Sequence, residues 1–481
     1  MRVLVTGSTG YIGGELVPAL LDAGHDVTLL VRDPNRLPQK SWMSKVEIKI
    51  GDAIDPKCLL HALQGIQVAF YLIHSMAADT DFTVQDHKIS EVFGSCAAQS
   101  GVSKIIYLSA LGDPRTVLSS HLASRHRTGI SLAQGGIPVL EFRAGPVIGA
   151  GSLPFEMIRY LTERVPVMVC PRWVFTKVQP IALGNVLEYL LAGIHLEIST
   201  HEVMEIGGSD VMTYGEMMTG YAKVRGLRRA MIRVPVLTPR LSSYWVHWVT
   251  PIRSKFARPI VDGLRNEVIV NDIAAHQAFP EIDPMNYEAA VSSALSHLHP
   301  RNDSLTYSDH STNELPGTIT TDDRGLIREH RFAATNQSQT ELFDSIQSLG
   351  GATGWYADWA WRIRAGFDRL IGGIGMRRNL HRIRPLSIGD ELDFWRVEDV
   401  SPPHRLLLRA EMKLPGEAWL EFKTITLPDG STGLVQSSYF APKGLFGIVY
   451  WWVLHPIHTI VFNGLVQFVR SRAAAKGVPS D

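Results

Sequence analysis

Apolar and polar positions along the chain follow three successive patterns. Up to about residue 145, short apolar runs recur: RVLVT from Arg2, DVTLLV from Asp26, VEIKI from Val46, QVAFYLI from Gln67, KIIYLS from Lys104 and VLEFR from Val139. Runs this uniformly apolar mark strands buried on both faces of a parallel sheet. Between the first two, Ile12, Leu16 and Leu20 recur at the period of a helix that lays one stripe on a sheet. These elements predict an α/β fold, a Rossmann-type doubly wound parallel sheet.

From about 146 to 299 the alternation breaks down. Proline-bearing segments, VPVMVCPRW from Val165 and MIRVPVLTPRL from Met231, stand between short helical patterns. A substrate lobe over the carboxyl edge of the sheet is expected there. The run RNDSLTYSDHSTNELPGTITTDD from Arg301 is polar, and residues 300–322 read as a linker. The domains expected are therefore 1–299, carrying the lobe, and 323–481.

Beyond the linker the pattern turns to strands of an antiparallel sheet: GLIREHRF from Gly325, ELDFWRV from Glu391, HRLLLRAEM from His404, EAWLEFKTITL from Glu417 and TGLVQSSYF from Thr432. In the fourth, Leu420 and Phe422 alternate with Glu421 and Lys423, which predicts one dry face and one wet face. A long helix closes the α+β domain. Its apolar stretch from Leu445 to Val469 has the length to cross a bilayer, but His455, Thr459, Asn463 and Gln467 recur every four residues and draw a polar stripe. A half-wet helix lying on the sheet is expected, with peripheral membrane contact near Phe446, Tyr450 and Trp451 left open.

At 481 residues the chain exceeds one ordinary core, so about two to four domains are expected. Lys plus Arg equals Asp plus Glu at 47 each, so no global field draws in nucleic acid, and small molecules and proteins are the expected partners. The cysteines Cys58, Cys96 and Cys170 have neither disulfide nor zinc spacing, and the first residues enter a strand with no leader pattern. A cytoplasmic protein is expected. Arg362, Arg364, Arg369, Arg377, Arg378, Arg382 and Arg384 read as a solvated amphipathic surface, with acidic head groups as a minority use. Trp355, Tyr356, Trp359, Trp361, Trp395, Trp419, Trp451 and Trp452 read as core or as the lining of a pocket for a flat or lipidic ligand. The pattern carries no signal of oligomeric state.

The candidate chemistry begins at GSTGYIGG from Gly7, where a strand runs into a helix. Gly7 permits the tight turn, Gly10 the approach of backbone to phosphate, and Gly13 close packing of helix on strand, with Thr9, Tyr11 and Ile12 beside them. Backbone N–H groups at the positive helix end then hold a pyrophosphate. Arg32 ends the second strand and suits a 2′-phosphate, favouring NADP(H), while the adjacent Asp33 keeps NAD(H) open. Asp52 and Ala53 follow the third strand; Asp52 is placed either for the adenine amino group or as an Asx turn former. Ile73 and His74 follow the fourth strand, beside the middle of the cofactor, and His74 reads as either a satisfied polar residue or a catalytic one.

With TGSTGYIG, Arg32, the GDA turn and YLSALG from Tyr107, the first 300 residues resemble the short-chain dehydrogenase/reductase superfamily, in the atypical NAD(P)-binding branch that includes NmrA-like sensors. The resemblance implies a serine after the fifth strand that polarises a carbonyl, a tyrosine that donates a proton and a lysine four residues later. Ser109 matches the serine. The segment expected to hold the pair reads SSHLASRHRTG from Ser119, with His121 and Arg125 at that spacing, and Tyr107 lies inside the strand. Two functions are therefore implied. One is an oxidoreductase with Ser109, His121 and Arg125 as altered catalytic groups, acting on a carbonyl, enone or quinone-like substrate. The other is a non-catalytic NADP(H)-dependent sensor or assembly factor.

EAWLEF from Glu417 and GLFGIVYWWVLHPIH from Gly444 resemble the uncharacterised START-like (SRPBCC, helix-grip) domain fused behind such proteins. That resemblance implies a sheet wrapped on a long helix around an apolar cavity, and a small apolar molecule as ligand.

Overall fold

The computed structural model describes residues 1–37, 41–74, 82–234, 263–296, 298–300, 319–321, 325–351, 353–377 and 385–476. Most of the expected linker, the proline segment beyond Val234, and Arg378, Arg382 and Arg384 lie outside the described residues. The chain divides into two compact units that part at Leu298.

The first unit is built on a seven-stranded sheet of β1 (Arg2–Thr6), β2 (Asp26–Val31), β3 (Glu47–Ile50), β4 (Val68–Tyr71), β5 (Lys104–Ala110), β6 (Val139–Ala144) and the strand His201–Ile206. Every pairing is parallel, and the order runs β3-β2-β1-β4-β5-β6 before the last strand. Alternate residues feed two cores. Val3 and Val5 pack with Leu16 and Leu20 of α1 (Tyr11–Asp22). Leu4 faces the other way, toward Leu59 of α2 (Pro56–Leu63) and Phe93 of α3 (Phe82–Gln99). Sheet order reverses between β1 and β4, and the crevice at such a switch point is where α/β sheets bind ligands.

The lobe gathers helices Leu153–Arg164, Tyr214–Val224 and Tyr287–Ser296 around Phe155, Met217, Tyr221 and Val291. Not all of 146–299 belongs to it. Helix Leu183–Ala192 and strand His201–Ile206 return to the main sheet, the latter pairing with β6. This strand reads HEVMEI and only its second half is buried, so it lacks the apolar run that marks the others.

The second unit holds an antiparallel seven-stranded sheet in the order Ile319–Thr321, Ile327–Thr335, Thr432–Pro442, Gly416–Thr426, Arg405–Ala410, Trp395–Ser401 and Glu391–Leu392. ELDFWRV is two strands, not one. Asp393 turns the chain at φ 59°, and its carboxylate accepts hydrogen bonds from the Trp355 indole at 2.7 Å and the Gly351 N–H at 3.1 Å.

The wet face expected at Glu421 is absent. Glu421 is buried and accepts from Arg405 Nε at 2.7 Å and from the Tyr439 hydroxyl at 2.8 Å, with Lys423 Nζ at 3.3 Å. Neighbouring strands supply Arg405 and Tyr439, which alternation within one strand does not reveal. Trp355, Trp361 and Trp395 pack on Phe394 with ring centroids 5.1 to 6.2 Å away, so they fill the core. Trp359 and Trp452 are exposed.

The helix Gly444–Lys476 packs on helix Gln339–Gln347 and on strands Ile327–Thr335 and Thr432–Pro442. Its polar stripe is only partly wet. Asn463 accepts from Arg331 Nε at 2.7 Å, and His455 lies 3.8 Å from buried Glu329. The sheet carries the buried pair Glu329–Arg331 beneath the helix, and Arg331 reaches up to Asn463, which itself stays exposed, while His455 and Thr459 are half-buried. Phe446, Val449, Trp452, Val453, Ile457 and Ile460 are left exposed. Among the described residues this is the one helix long and apolar enough to cross a membrane.

Candidate functional site

β1 ends at Thr6, and Gly7 follows in the left-handed region at φ 75°. A side chain on Gly7 would also collide with the Leu72 carbonyl, because the loop passes directly over the end of β4. Gly10 N–H donates to the Gly7 carbonyl at 2.9 Å and closes the turn. At Gly13 a Cβ would strike the Gly7 carbonyl, so a glycine there lets α1 start against the loop. No side chain caps α1 and no acidic residue lies in its first turn, so its positive end is open to an anion.

A cleft of about 890 Å³ lies over this loop and brings every candidate residue together. Gly7, Thr9, Gly10, Tyr11, Ile12 and Gly13 form its floor; Arg32, Asp52 and Ala53 lie at one end; Ile73, His74, Ser109, His121 and Arg125 line its middle. The far end is largely apolar, with Leu111, Leu122, Met157, Ile158 and Leu264, and Tyr214 beside them.

At the Arg32 end, the Asp33 carboxylate accepts from Asn35 N–H at 3.0 Å and from its side-chain amide at 3.1 Å. Asp33 thus caps the turn Pro34–Arg36. That turn carries Arg36 to the cleft beside Arg32. Asp52 also forms an Asx turn, accepting from Ile54 N–H at 3.2 Å, while lining the cleft.

The middle of the cleft holds the groups able to do chemistry. Ser109 ends β5; it is 4% exposed and its hydroxyl has no protein partner. His121 and Arg125 stand one turn apart on α4 (Ser120–Ala133), whose N-terminus is capped by the Ser119 hydroxyl accepting from Leu122 N–H. Arg125 lies 5.1 Å over the Tyr107 ring and donates to the Leu108 carbonyl. Tyr107 is fully buried, and its hydroxyl donates to the Arg125 carbonyl at 2.9 Å. It thus braces α4 from beneath.

His74 Nδ1 lies 3.2 Å from a carboxylate oxygen of buried Asp86, and its ring centroid is 4.9 Å from that of His121. His74 Nε2 and His121 Nδ1 are buried without protein partners. Burial pushes the His74 pKa down, with Asp86 opposing and Arg125 assisting. Burial, then the His74 and Arg125 charges, drive His121 down to about 3. Both rings are therefore neutral at ordinary pH, and neutral imidazole offers one donor and one acceptor.

Asp86, Arg36 and Tyr214 are site groups that the sequence did not single out. Arg36 has a signal, since it stands one turn beyond Arg32 in a proline-led turn; Asp86 has none, being one polar residue in the mixed sequence FTVQDHKIS. The residues fit a dinucleotide. The glycine loop admits no side chain where phosphate would pass, and Ser109 Oγ, His74 Nε2 and His121 Nδ1 are buried polar atoms lacking protein partners.

Residues 7–128 match a protein family described as NAD(P)H-binding, and residues 326–465 match a family described as a protein of unknown function, DUF2867. The chain is 28% identical to the ceramide reductase of Caulobacter vibrioides over 242 residues, 48% of this chain and 73% of that protein. Identity to the photosystem II assembly factor Ycf39 of Cyanophora paradoxa is 23% over 269 residues, 53% of this chain and 80% of that protein. A 3-diazoavenalumate denitrifying reductase of a Streptomyces species is 38% identical over 78 residues, 16% of this chain and only 24% of that protein's length. Among solved structures, the Citrobacter triphenylmethane reductase complexed with NADP(H) superposes with TM-score 0.50 at 16% identity, covering 61% of this chain and all of that one.

Proposed function

We propose, from the premise that the chain begins with a Rossmann-type NAD(P)H-binding domain, that it is an NADP(H)-dependent reductase of an apolar carbonyl, enone or quinone-like substrate. The observation that carries this reading is the set of buried, partnerless polar atoms in the middle of the cleft, on Ser109, His121 and His74. The likeness to a ceramide reductase and the apolar far wall of the cleft support a lipid-like substrate.

In this reading the loop of Gly7, Gly10 and Gly13 holds the pyrophosphate. Arg32 and Arg36 hold a 2′-phosphate, while Asp33 is engaged as a turn cap and withdrawn from the ribose. A bound nicotinamide supplies the hydride. Ser109 donates a hydrogen bond to the substrate oxygen, and the alkoxide left by hydride transfer takes its proton from solvent water. His121, neutral down to about pH 3, acts through an imidazole N–H as an electrophile and not as an imidazolium acid. Arg125, held against β5, keeps a positive charge beside the oxygen on which negative charge builds. Asp86 accepts the His74 Nδ1 proton and directs His74 Nε2 as an acceptor.

The second unit we read as a helix-grip domain, supported by its antiparallel sheet and the long helix packed on it. Its tryptophans at 355, 361 and 395 fill its core, so the apolar ligand is assigned to the cleft of the first unit. We place the protein in the cytoplasm.

The test is turnover. Purified protein should bind NADPH more tightly than NADH and oxidise it with a member of a panel of long-chain ketones, enones and quinones. A second reading, a non-catalytic NADP(H)-dependent assembly or regulatory protein, is favoured by histidine and arginine in the place of the tyrosine and lysine and by the likeness to Ycf39. Retained NADPH with no oxidation by any panel member would favour it.

A further inference from the structure

We infer that the second unit docks on an anionic phospholipid surface through one continuous face made by helices Asp358–Leu370 and Gly444–Lys476.

The first of these helices is apolar on two sides. Trp361 and Ala365 face the core. On the other side, Trp359, Ile363, Phe367 and Leu370 follow the helical period and are 69%, 55%, 62% and 82% exposed. The long helix repeats the arrangement. Its C-terminal half is anchored through Leu465, Val466 and Val469, each nearly or wholly buried, so it lies along the unit and does not leave it to span a bilayer. Its N-terminal half turns outward Phe446, Val449, Val453 and Ile460, of which Phe446 is 72% exposed.

One loop ties the two apolar stripes together. Lys413 N–H donates to Asp368 at 2.7 Å and Lys413 Nζ to the Ile371 carbonyl at 3.0 Å, at the end of the first helix. Two residues on, the Pro415 carbonyl accepts from Lys443 N–H at 2.9 Å, at the start of the second. Leu370 and Ile371 therefore flank the same loop as Leu445 and Phe446, and all four are exposed.

The charges around this face choose the occupant. Arg362, Arg369, Lys413 and Lys443 are exposed on these two helices and their shared loop. Of the nearby acids, Asp358 is engaged by Arg362 at 2.9 Å, Asp368 is fully buried, and Glu417 is exposed. A local basic excess on a chain of zero net charge, around exposed Trp, Phe and branched aliphatic side chains, matches an interface of acidic head groups over acyl chains.

Full-length protein sedimented with phosphatidylcholine vesicles containing phosphatidylglycerol tests this. Binding is expected to the anionic vesicles, to fall several-fold at roughly 0.5 M salt, and to be weak on phosphatidylcholine alone. The double substitution Trp359→Glu with Phe446→Glu should lower binding by about tenfold or more, with thermal melting and NADPH affinity unchanged. Arg369→Gln with Lys443→Gln, which leaves the apolar face intact, should weaken binding several-fold and flatten its salt dependence. Equal binding by either double variant and the parent protein overturns the proposal. So does absence of vesicle binding in a dimer that the Glu variant makes monomeric, since the face would then join two copies of the chain.

Discussion

His74 Nδ1 and an Asp86 carboxylate oxygen lie 3.2 Å apart at the wall of the cleft, leaving the second ring nitrogen of His74 buried beside the His121 ring. An Asp–His pair of this kind fixes a tautomer: the proton stays on Nδ1 and the lone pair on Nε2 faces the site. Asp86→Asn removes both the charge and the preference. Turnover is expected to fall by about tenfold or more, with the NADPH dissociation constant changed little. Steady-state rates set against fluorescence titration of NADPH would check this, and a proportional loss of cofactor affinity would assign Asp86 to cofactor binding.

The same buried rings make the first unit acid-sensitive. His121 is held near pKa 3 against an ordinary 6.5, and His74 and His126 are also lowered, burial being the first cause in each case. A histidine kept neutral by the fold takes up a proton on unfolding. The stability it holds is therefore complete above about pH 6.5 and is lost as pH falls from there toward the folded pKa. Each fully buried ring can contribute up to about 1.4 kcal/mol per pH unit in that window. Thermal melting followed from pH 7 downward should show the loss, and His121→Gln should reduce its slope.

Gly13 stands where a Cβ would meet the Gly7 carbonyl, and both positions belong to backbone that cannot step aside. Gly13→Ala is expected to weaken NADPH binding by about tenfold or more and to cost about 1–3 kcal/mol of stability. Gly24→Ala, where no neighbouring atom would be met but φ is 79°, is the control for backbone strain alone: it should destabilise without touching cofactor affinity. Calorimetric titration of both variants separates the two effects.

The sheet of the first unit was legible because β1, β2, β4, β5 and β6 are buried on both faces and so read as apolar runs; β3, at the sheet edge with Glu47 and Ile50 exposed, does not share that burial. The loop was legible because Gly7, Gly10 and Gly13 fall within one short stretch between a strand and a helix. Asp86 was not, because nothing in a mixed helix sequence records that it faces a histidine twelve positions earlier. Strand His201–Ile206 was missed since only its second half is fully buried and its polar residues break the apolar run. Period alone shows that the C-terminal helix has two faces. It does not say which points inward, and the buried Glu329–Arg331 pair on the sheet engages His455 and Asn463 while Phe446 and Val453 are left out.

Glu421 illustrates the same limit with a measurable cost. Its carboxylate is 1% exposed and accepts from Arg405 on one neighbouring strand and Tyr439 on the other, so it joins three strands of the second unit. Glu421→Ala would take one acceptor from the Tyr439 hydroxyl and one from Arg405, which is partly exposed and keeps Asp399 at 2.8 Å, at about 1–3 kcal/mol. A melt resolved into two transitions should lose stability in the second unit alone, with NADPH binding preserved.

Cofactor choice rests on two guanidinium groups, one of which the sequence did not point to. Arg32 and Arg36 both line the cleft, Arg36 being carried there by the turn that Asp33 caps. A 2′-phosphate between them would gain charge-assisted hydrogen bonds that NADH lacks. Arg32→Ala should weaken NADPH binding by about tenfold, and Arg32→Ala with Arg36→Ala by more, while NADH binding stays within about twofold of the parent. Asp33→Ala frees the turn and is expected to weaken NADPH binding through Arg36 alone, a smaller effect. If it instead weakens NADH binding most, Asp33 holds the ribose and the preference for NADPH is wrong. Titrations of the four proteins with both nucleotides decide between them.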